Sequence, residues 1–246
     1  KNIISNKKKV KFSLDLSFRE KKNWFKLLTE RPFIKDHFPG YEKYIWLDAD
    51  TYVLHKDLII NLDHSTNLKD ISLVPELNES YVFKNKKFGI KKKFFSLYKI
   101  SGWSFKNYKK YFNTELAEEL LFRPLFNNGV FCIKSNSKIW DLWKKNYQDA
   151  LKKAKTSYGI KTDQLSLNKV LYENFKIVSI LDSTNNWIIE KSEPLFYDEN
   201  KNLFYTPSFP RRKINLLHFT NMKIDENFKC NNLLGNFNFK KVIFFN

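Results

Sequence analysis

The sequence predicts an α/β fold with a mostly parallel sheet flanked by helices, on three observations. Short apolar, β-rich runs alternate with longer stretches of helical spacing. Two of those stretches, 137–154 and 162–172, each gather their apolar residues on one face. The apolar run 44–54 carries two acids inside it, Asp48 and Asp50. A lone buried charge is costly, so a strand must surface there, as strands of such sheets do at a site. With 246 residues, no internal repeat and no long linker, residues 1–246 read as one domain with a sizeable core.

Each element has its own warrant. Residues 9–16 (KVKFSLDL) read as a short strand, and 22–28 as a helix that breaks near Arg31-Pro32. His37-Phe38-Pro39-Gly40 is a turn. Residues 44–54 form a strand interrupted by the aspartates, 71–75 another, and 125–133 (LFNNGVFCI) a third with Asn-Asn-Gly at its start. In 137–154, Ile139, Leu142, Trp143, Tyr147, Ala150 and Leu151 fall on one helical face. In 162–172, Thr162 or Asp163 is the expected N-cap. Residues 176–181 and 214–219 (INLLHF) are the last strands.

The formal net charge is +18, and nearly all of the basic residues are lysine. Such a field favours polyanions: nucleic acid, anionic lipid, acidic glycan or nucleotide phosphate. No zinc-finger spacing and no RNP-like strand is present, so nucleic acid rests on charge alone and ranks last. Residues 84–111 interleave lysine with Phe88, Phe94, Phe95, Tyr98, Trp103, Phe105 and Tyr108. That mixture suits a membrane surface or an acidic, sugar-bearing acceptor; the plainer reading is a helical or loop insertion whose aromatics pack inward. Cys132 and Cys230 lie in no metal spacing, and Cys132 reads as a buried small hydrophobe. No apolar run reaches the length of a membrane span, and the first residues lack a signal-peptide core. The expected location is cytoplasmic, with peripheral association at the inner face of an anionic membrane.

Asp48 and Asp50 are two residues apart, so on an extended segment both carboxylates point one way and can grip one divalent cation. A calcium loop of EF-hand type is excluded, because Thr51, Tyr52 and Val53 follow. Three further islands accompany the pair: Phe126-Asn127-Asn128-Gly129, Asp163-Gln164-Leu165-Ser166-Leu167-Asn168, and Leu217-His218-Phe219. Alone, each has a plain reading: a turn, a helix cap, a core histidine.

In this order the four motifs resemble GT-A-fold glycosyltransferases, most nearly the family 8-like group of glycogenin and the lipooligosaccharide galactosyltransferases. The resemblance spans about residues 23–223. It implies a GT-A (Rossmann-like) fold of the nucleotide-diphospho-sugar transferase type. It implies transfer of a sugar from a nucleotide-diphosphate donor, UDP by expectation, to a glycan, lipid-linked or protein acceptor, with retention. By the same resemblance Asp48, Asp50 and His218 hold Mn2+ or Mg2+. Asn127 would bond the donor sugar or acceptor, Asp163 the sugar hydroxyls, and Gln164 would lie near the anomeric carbon. Lys26 matches the family's basic residue ahead of the Asp-x-Asp strand, and Lys223 its diphosphate-binding lysine, with Arg211, Arg212 and Lys213 as substitutes. The family's N-terminal nucleotide-binding loop, acidic and tyrosine-containing, has no counterpart in the 47 residues before Asp48, and Pro-Trp is absent after Lys223. The alternative is a catalytically inactive GT-A-like domain that binds glycan or anionic surfaces. The acceptor is expected toward residues 84–111 and the C-terminal tail.

Overall fold

The computed structural model describes residues 27–81, 92–153, 162–220 and 230–232. Its strands are β1 (Lys43–Leu47), β2 (Thr51–Val53), β3 (Ile71–Pro75), β4 (Phe126–Lys134), β5 (Val178–Ile180), β6 (Trp187–Ile188), β7 (Leu195–Asp198), β8 (Leu203–Tyr205), β9 (Leu216–His218) and β10 (Cys230–Asn232). Apart from the single turn Ile34–His37, the α-helices are α1 (Asp57–Leu68), α2 (Lys92–Tyr111), α3 (Thr114–Glu119), α4 (Ile139–Lys153) and α5 (Thr162–Glu173).

The α/β class stands, but the sheets are mixed rather than mostly parallel. The main sheet has the order β1-β4-β3-β5, with β4 antiparallel to both β1 and β3, and only β3–β5 parallel. A second sheet, β2-β9-β6, and a third, β10-β7-β8, each combine one parallel and one antiparallel pair. The reason lies in β4. Strand–helix alternation predicts crossovers, but β3 reaches β4 through α2 and α3, which leave the chain running in the opposite direction.

β4 is buried on both faces, as the apolar run 130–133 within it demands. Phe131 and Ile133 face the helices α4 and α5, where Ile139, Trp140, Trp143, Tyr147, Leu167 and Leu171 complete the main core. Val130 and Cys132, one residue out of phase, face Leu58 and Leu62 of α1. α4 therefore forms where its apolar stripe was expected, with Trp140 added and Leu142 only half-buried. A smaller core around Trp187, Phe204, Leu217 and Cys230 holds the other two sheets. Both cysteines are free and buried, and burial pushes the Cys230 thiol up to about 12.

Several boundaries move. The expected strand 9–16 and most of the helix 22–28 lie outside the described residues, and Leu27–Phe33 is a 3-10 helix instead, since Pro32 cannot sustain an α-helical ladder. Residues 44–54 are not one strand: β1 ends at Leu47, and β2 joins a different sheet. Residues 176–181 divide into a 3-10 turn, Phe175–Ile177, and β5. In α2, Tyr108 and Tyr111 are buried, and Tyr108 packs against Leu116, Leu120 and Leu165, which supports the inward-packing reading for that end of the segment. Trp103 is exposed. No helix among the described residues is long and apolar enough to cross a membrane.

Candidate metal centre and its polar network

Asp48-Ala49-Asp50 is the turn that carries the chain from the first sheet into the second. Asp48 N–H donates to Gly129 O (2.8 Å), one step beyond the last β1–β4 pair, Leu47 with Val130. Thr51 N–H and Oγ1–H both donate to Asp48 O, at 3.1 and 2.7 Å, and close the turn. Thr51 pairs with His218 of β9, and Phe219 N–H donates to Asp50 O (2.8 Å). The acids thus converge through a turn, not through the side-chain alternation of one continuous strand. His218 arrives from the neighbouring strand.

Asp48, Asp50 and His218 each offer a ligand atom, and the three atoms lie within 4.8 Å of one another. His218 is buried, with Nε2 3.3 Å from Asp50 Oδ1 and 4.0 Å from Asp48 Oδ2. Its Nδ1 is 2.9 Å from Asn186 Oδ1. That amide oxygen can only accept, so Nδ1 donates to it and Nε2 is left to face the carboxylates. Burial works to raise the Asp50 carboxyl, but the hydrogen bond and charge of His218 outweigh it and hold it below the usual carboxylate range.

Sequence reasoning missed the residue at the centre. Arg31, buried on the 3-10 helix, spans two motifs. One terminal nitrogen donates to both oxygens of Asp48 (2.6 and 2.7 Å), and the other to Asp163 Oδ2 (2.6 Å). Trp46 Nε1–H donates to Asp48 Oδ1 (2.6 Å), and Arg31 lies 5.6 Å over the Trp46 ring. Burial opposes the charge on Arg31, but Asp163 and Asp48 outweigh it, so the guanidinium holds its proton more tightly than usual. Asp163 is not a cap. It is buried inside the first turn of α5, accepts from Arg31 and from Asn128 Nδ2 (2.7 Å), and burial pushes its carboxyl up despite Arg31.

Gln164 and Asn127 meet at a second missed residue. Gln164 Nε2 donates to Glu76 Oε1 (3.0 Å) and to Phe126 O (3.0 Å); Asn127 Nδ2 donates to the same Glu76 oxygen (2.8 Å). Lys191 pairs with the other oxygen of Glu76. Asn127 Oδ1 accepts from Gly129 N–H (2.8 Å) and Asn186 Nδ2 (3.0 Å), so Asn127 fixes the loop beside the cluster as well as facing it. Asn168 is structural. Its amide pairs with Phe126 N–H (2.7 Å) and Phe126 O (2.8 Å), which docks α5 on the start of β4.

Two residues expected here, Lys26 and Lys223, lie outside the described residues. The suggested substitutes are engaged elsewhere. Arg211 stacks on Phe196 and Phe209, Arg212 pairs with Asp182, and Lys213 donates to Asp57 (2.5 Å). A signal for Glu76 was present: it ends the apolar run Ile71-Ser72-Leu73-Val74-Pro75, as the aspartates end theirs.

The chain matches no protein-family model, no curated protein and no solved structure. The site's chemistry therefore stands on its own geometry. Leaving the imidazole aside, four carboxylates (Asp48, Asp50, Glu76, Asp163) face two cations (Arg31, Lys191). The formal excess is two negative charges, the complement of one divalent cation. Two oxygens and one imidazole nitrogen suit manganese, with magnesium acceptable.

The Glu76 carboxyl carries a pH prediction. Burial works to raise it, but Lys191, Asn127 and Gln164 outweigh burial and hold it below the usual range. A depressed carboxylate contributes stability above its unfolded pKa and loses it as pH falls through the lower folded value. Glu76→Gln keeps the shape and removes that contribution. Urea midpoints measured between neutral and acid pH should show the variant less stable at neutrality and less sensitive to acid. An acid limb parallel to that of the parent would refute the assignment.

Proposed function

We propose that the chain is a metal-dependent glycosyltransferase of GT-A type that moves a sugar from a UDP-sugar to a hydroxyl acceptor, with retention. The observation that carries this reading is the convergence of Asp48, Asp50 and His218 beside Asp163, Gln164 and Asn127. Four motifs far apart in sequence meet in one hydrogen-bonded network. Neither an ordinary surface acid pair nor charge-driven nucleic-acid binding needs that convergence.

In this reading Asp48, Asp50 and His218 hold the cation, which supplies Lewis-acid stabilisation of a departing diphosphate. Asn186 sets the imidazole tautomer, and Arg31 fixes Asp48 and Asp163 relative to each other. Asp163 accepts hydrogen bonds from sugar hydroxyls. Gln164, tethered to Glu76 and Phe126, is a poor nucleophile, so the acceptor enters on the face the leaving group vacates. Trapping of a covalent glycosyl-enzyme would count against that route.

The grip of Arg31 on both Asp48 oxygens favours the second reading, an inactive glycan-binding domain, because it competes with a cation for the same lone pairs. Thermal unfolding with UDP, GDP and CDP, each with and without manganese, separates the two. Ligand at about 100 times its Kd adds about 2.7 kcal/mol to a folded state that alone binds it. The expected result is a shift with UDP that requires manganese and disappears in Asp50→Asn, whose half-exposed side chain tolerates the change. A shift retained in Asp50→Asn refutes the metal assignment; no shift with any nucleotide favours the inactive domain.

A further inference from the structure

We propose that a cleft at the carboxyl ends of β3 and β5 binds an uncharged, hydroxyl-rich glycan as the acceptor; this rests on the transferase reading above. The cleft has a volume of about 510 Å³, within the roughly 300–1,000 Å³ of small-molecule sites. Ligands of α/β sheets gather outside the carboxyl ends of parallel strands, and β3–β5 is the one parallel pair of the main sheet.

The cleft and the candidate centre are built on the same two chain segments. Glu76, which binds Gln164 and Asn127, stands in sequence between Pro75 and Leu77 of its lining. On the opposite wall, Ser183 begins the 3-10 turn that leads to Asn186, the partner of His218. A molecule seated in the cleft is thereby flanked by two residues whose neighbours contact the proposed transfer site.

Its chemistry is that of a sugar, apolar on one face and polar at the edge. Pro75, Leu77 and Leu181 supply the apolar surface. Asn78, Glu79, Asp182 and Arg212 supply donors and acceptors. These groups are already held in place. Asn78 Nδ2 donates to Ser183 Oγ (2.7 Å), Asp182 Oδ1 accepts from Thr184 N–H (2.9 Å), and Arg212 pairs with Asp182. A polar wall fixed in advance costs little ordering on binding. Ser208 Oγ donates to Glu79 Oε1 (2.6 Å), and the next residue, Phe209, is 79% exposed.

The charge selects against acids. Two carboxylates and one guanidinium line the cleft, a local excess of one negative charge in a chain of net +18. The overall field favours polyanions, yet this cleft would repel a phosphate, sulfate or uronate. Neutral glycan is the ligand class consistent with both the hydrogen-bonding wall and the local sign.

Saturation-transfer NMR on the full chain, without nucleotide or metal, tests this. Lactose, maltotriose and cellotriose are the neutral probes, and trigalacturonate is the acidic control. At least one neutral probe should receive saturation and trigalacturonate should not. The signal should vanish in Leu77→Arg, a change at a 56% exposed position that leaves the fold intact. Silence from all neutral probes, stronger transfer to trigalacturonate, or an undiminished signal in Leu77→Arg overturns the proposal. Failure of the transferase reading registers separately, as loss of the manganese-dependent nucleotide shift, which Leu77→Arg should preserve. Sugar binding lost in Leu77→Arg, in a chain with no nucleotide shift, would uphold the cleft as a glycan site and overturn its role in transfer.

Discussion

Arg31→Met should destabilise the protein by about 3–5 kcal/mol, the usual cost of leaving a buried charge without its partner. Asp163 is buried and Asp48 is largely so, with side-chain exposures of 3% and 17%. Removal of the guanidinium leaves two carboxylates facing each other in a poorly hydrated site. For a domain of this size each kcal/mol corresponds to roughly 2–4 °C, so Tm should fall by about 6–20 °C. The deficit has a definite pH dependence. Without Arg31 the Asp163 carboxyl, already raised by burial, rises further. A raised folded pKa favours folding below the unfolded value, and that support is lost as pH rises through the folded value. The variant should therefore come closest to the parent in acid and lag most at neutral pH. Arg31→Lys should recover part of the loss, because one ammonium keeps the charge but cannot span two carboxylates as the planar fork does. Adding Asp163→Asn to Arg31→Met should also recover part, by deleting one of the stranded charges. A loss below about 1 kcal/mol at neutral pH, the range of an exposed ion pair, would mean that the site is wetter than its burial indicates.

What could be read in advance follows from what each signal physically reports. β4 and α4 were legible because an unbroken apolar run and a one-sided apolar stripe state how much surface must be buried and in which direction. α1 was not, since only Leu58 and Leu62 of its apolar residues are buried, while Ile59, Ile60 and Leu68 are exposed. Strand direction was misread because direction depends on the route taken between strands, and α2 and α3 supply that route without marking it in the sequence of β3 or β4. In the site, Asp48, Asp50, Asp163 and His218 stood out because polar residues next to apolar runs need a compensating reason. Arg31 carried no such mark. It sits in a polar stretch, Thr29-Glu30-Arg31-Pro32, and only the tertiary arrangement buries it between two carboxylates. A charge whose partners lie 17 and 132 residues away is invisible to any local pattern.

Gly129→Ala should disable the proposed metal centre while most of the fold survives. A Cβ at this position would lie 2.4 Å from His218 Cε1, 2.8 Å from Asn127 Oδ1 and 2.8 Å from Asp48 Oδ2. These are sub-contact distances to a proposed ligand, to a second ligand and to the amide that braces the loop. None of the three can yield freely. His218 is buried and tied to Asn186, Asn127 Oδ1 accepts from Gly129 itself and from Asn186, and Asp48 is clasped by Arg31. The glycine cannot retreat either, because its carbonyl accepts from Asp48 N–H. Its requirement is thus close approach rather than unusual backbone torsion. Overpacking of this kind costs about 1–3 kcal/mol, and disturbing the supports of metal ligands lowers affinity by roughly 10–100-fold. Mn2+ titrations followed by electron paramagnetic resonance should show that weakening. Val130→Ala is the control: it removes buried bulk from the neighbouring cluster of Leu58, Leu62 and Cys132 without adding an atom near the ligands. It should lose stability and keep Mn2+ affinity, whereas Gly129→Ala should lose affinity beyond what its stability explains. Equal Mn2+ binding by Gly129→Ala and the parent chain would show that Asp48 and His218 do not coordinate from the positions they occupy, and would remove the basis for a metal-dependent reaction at this site.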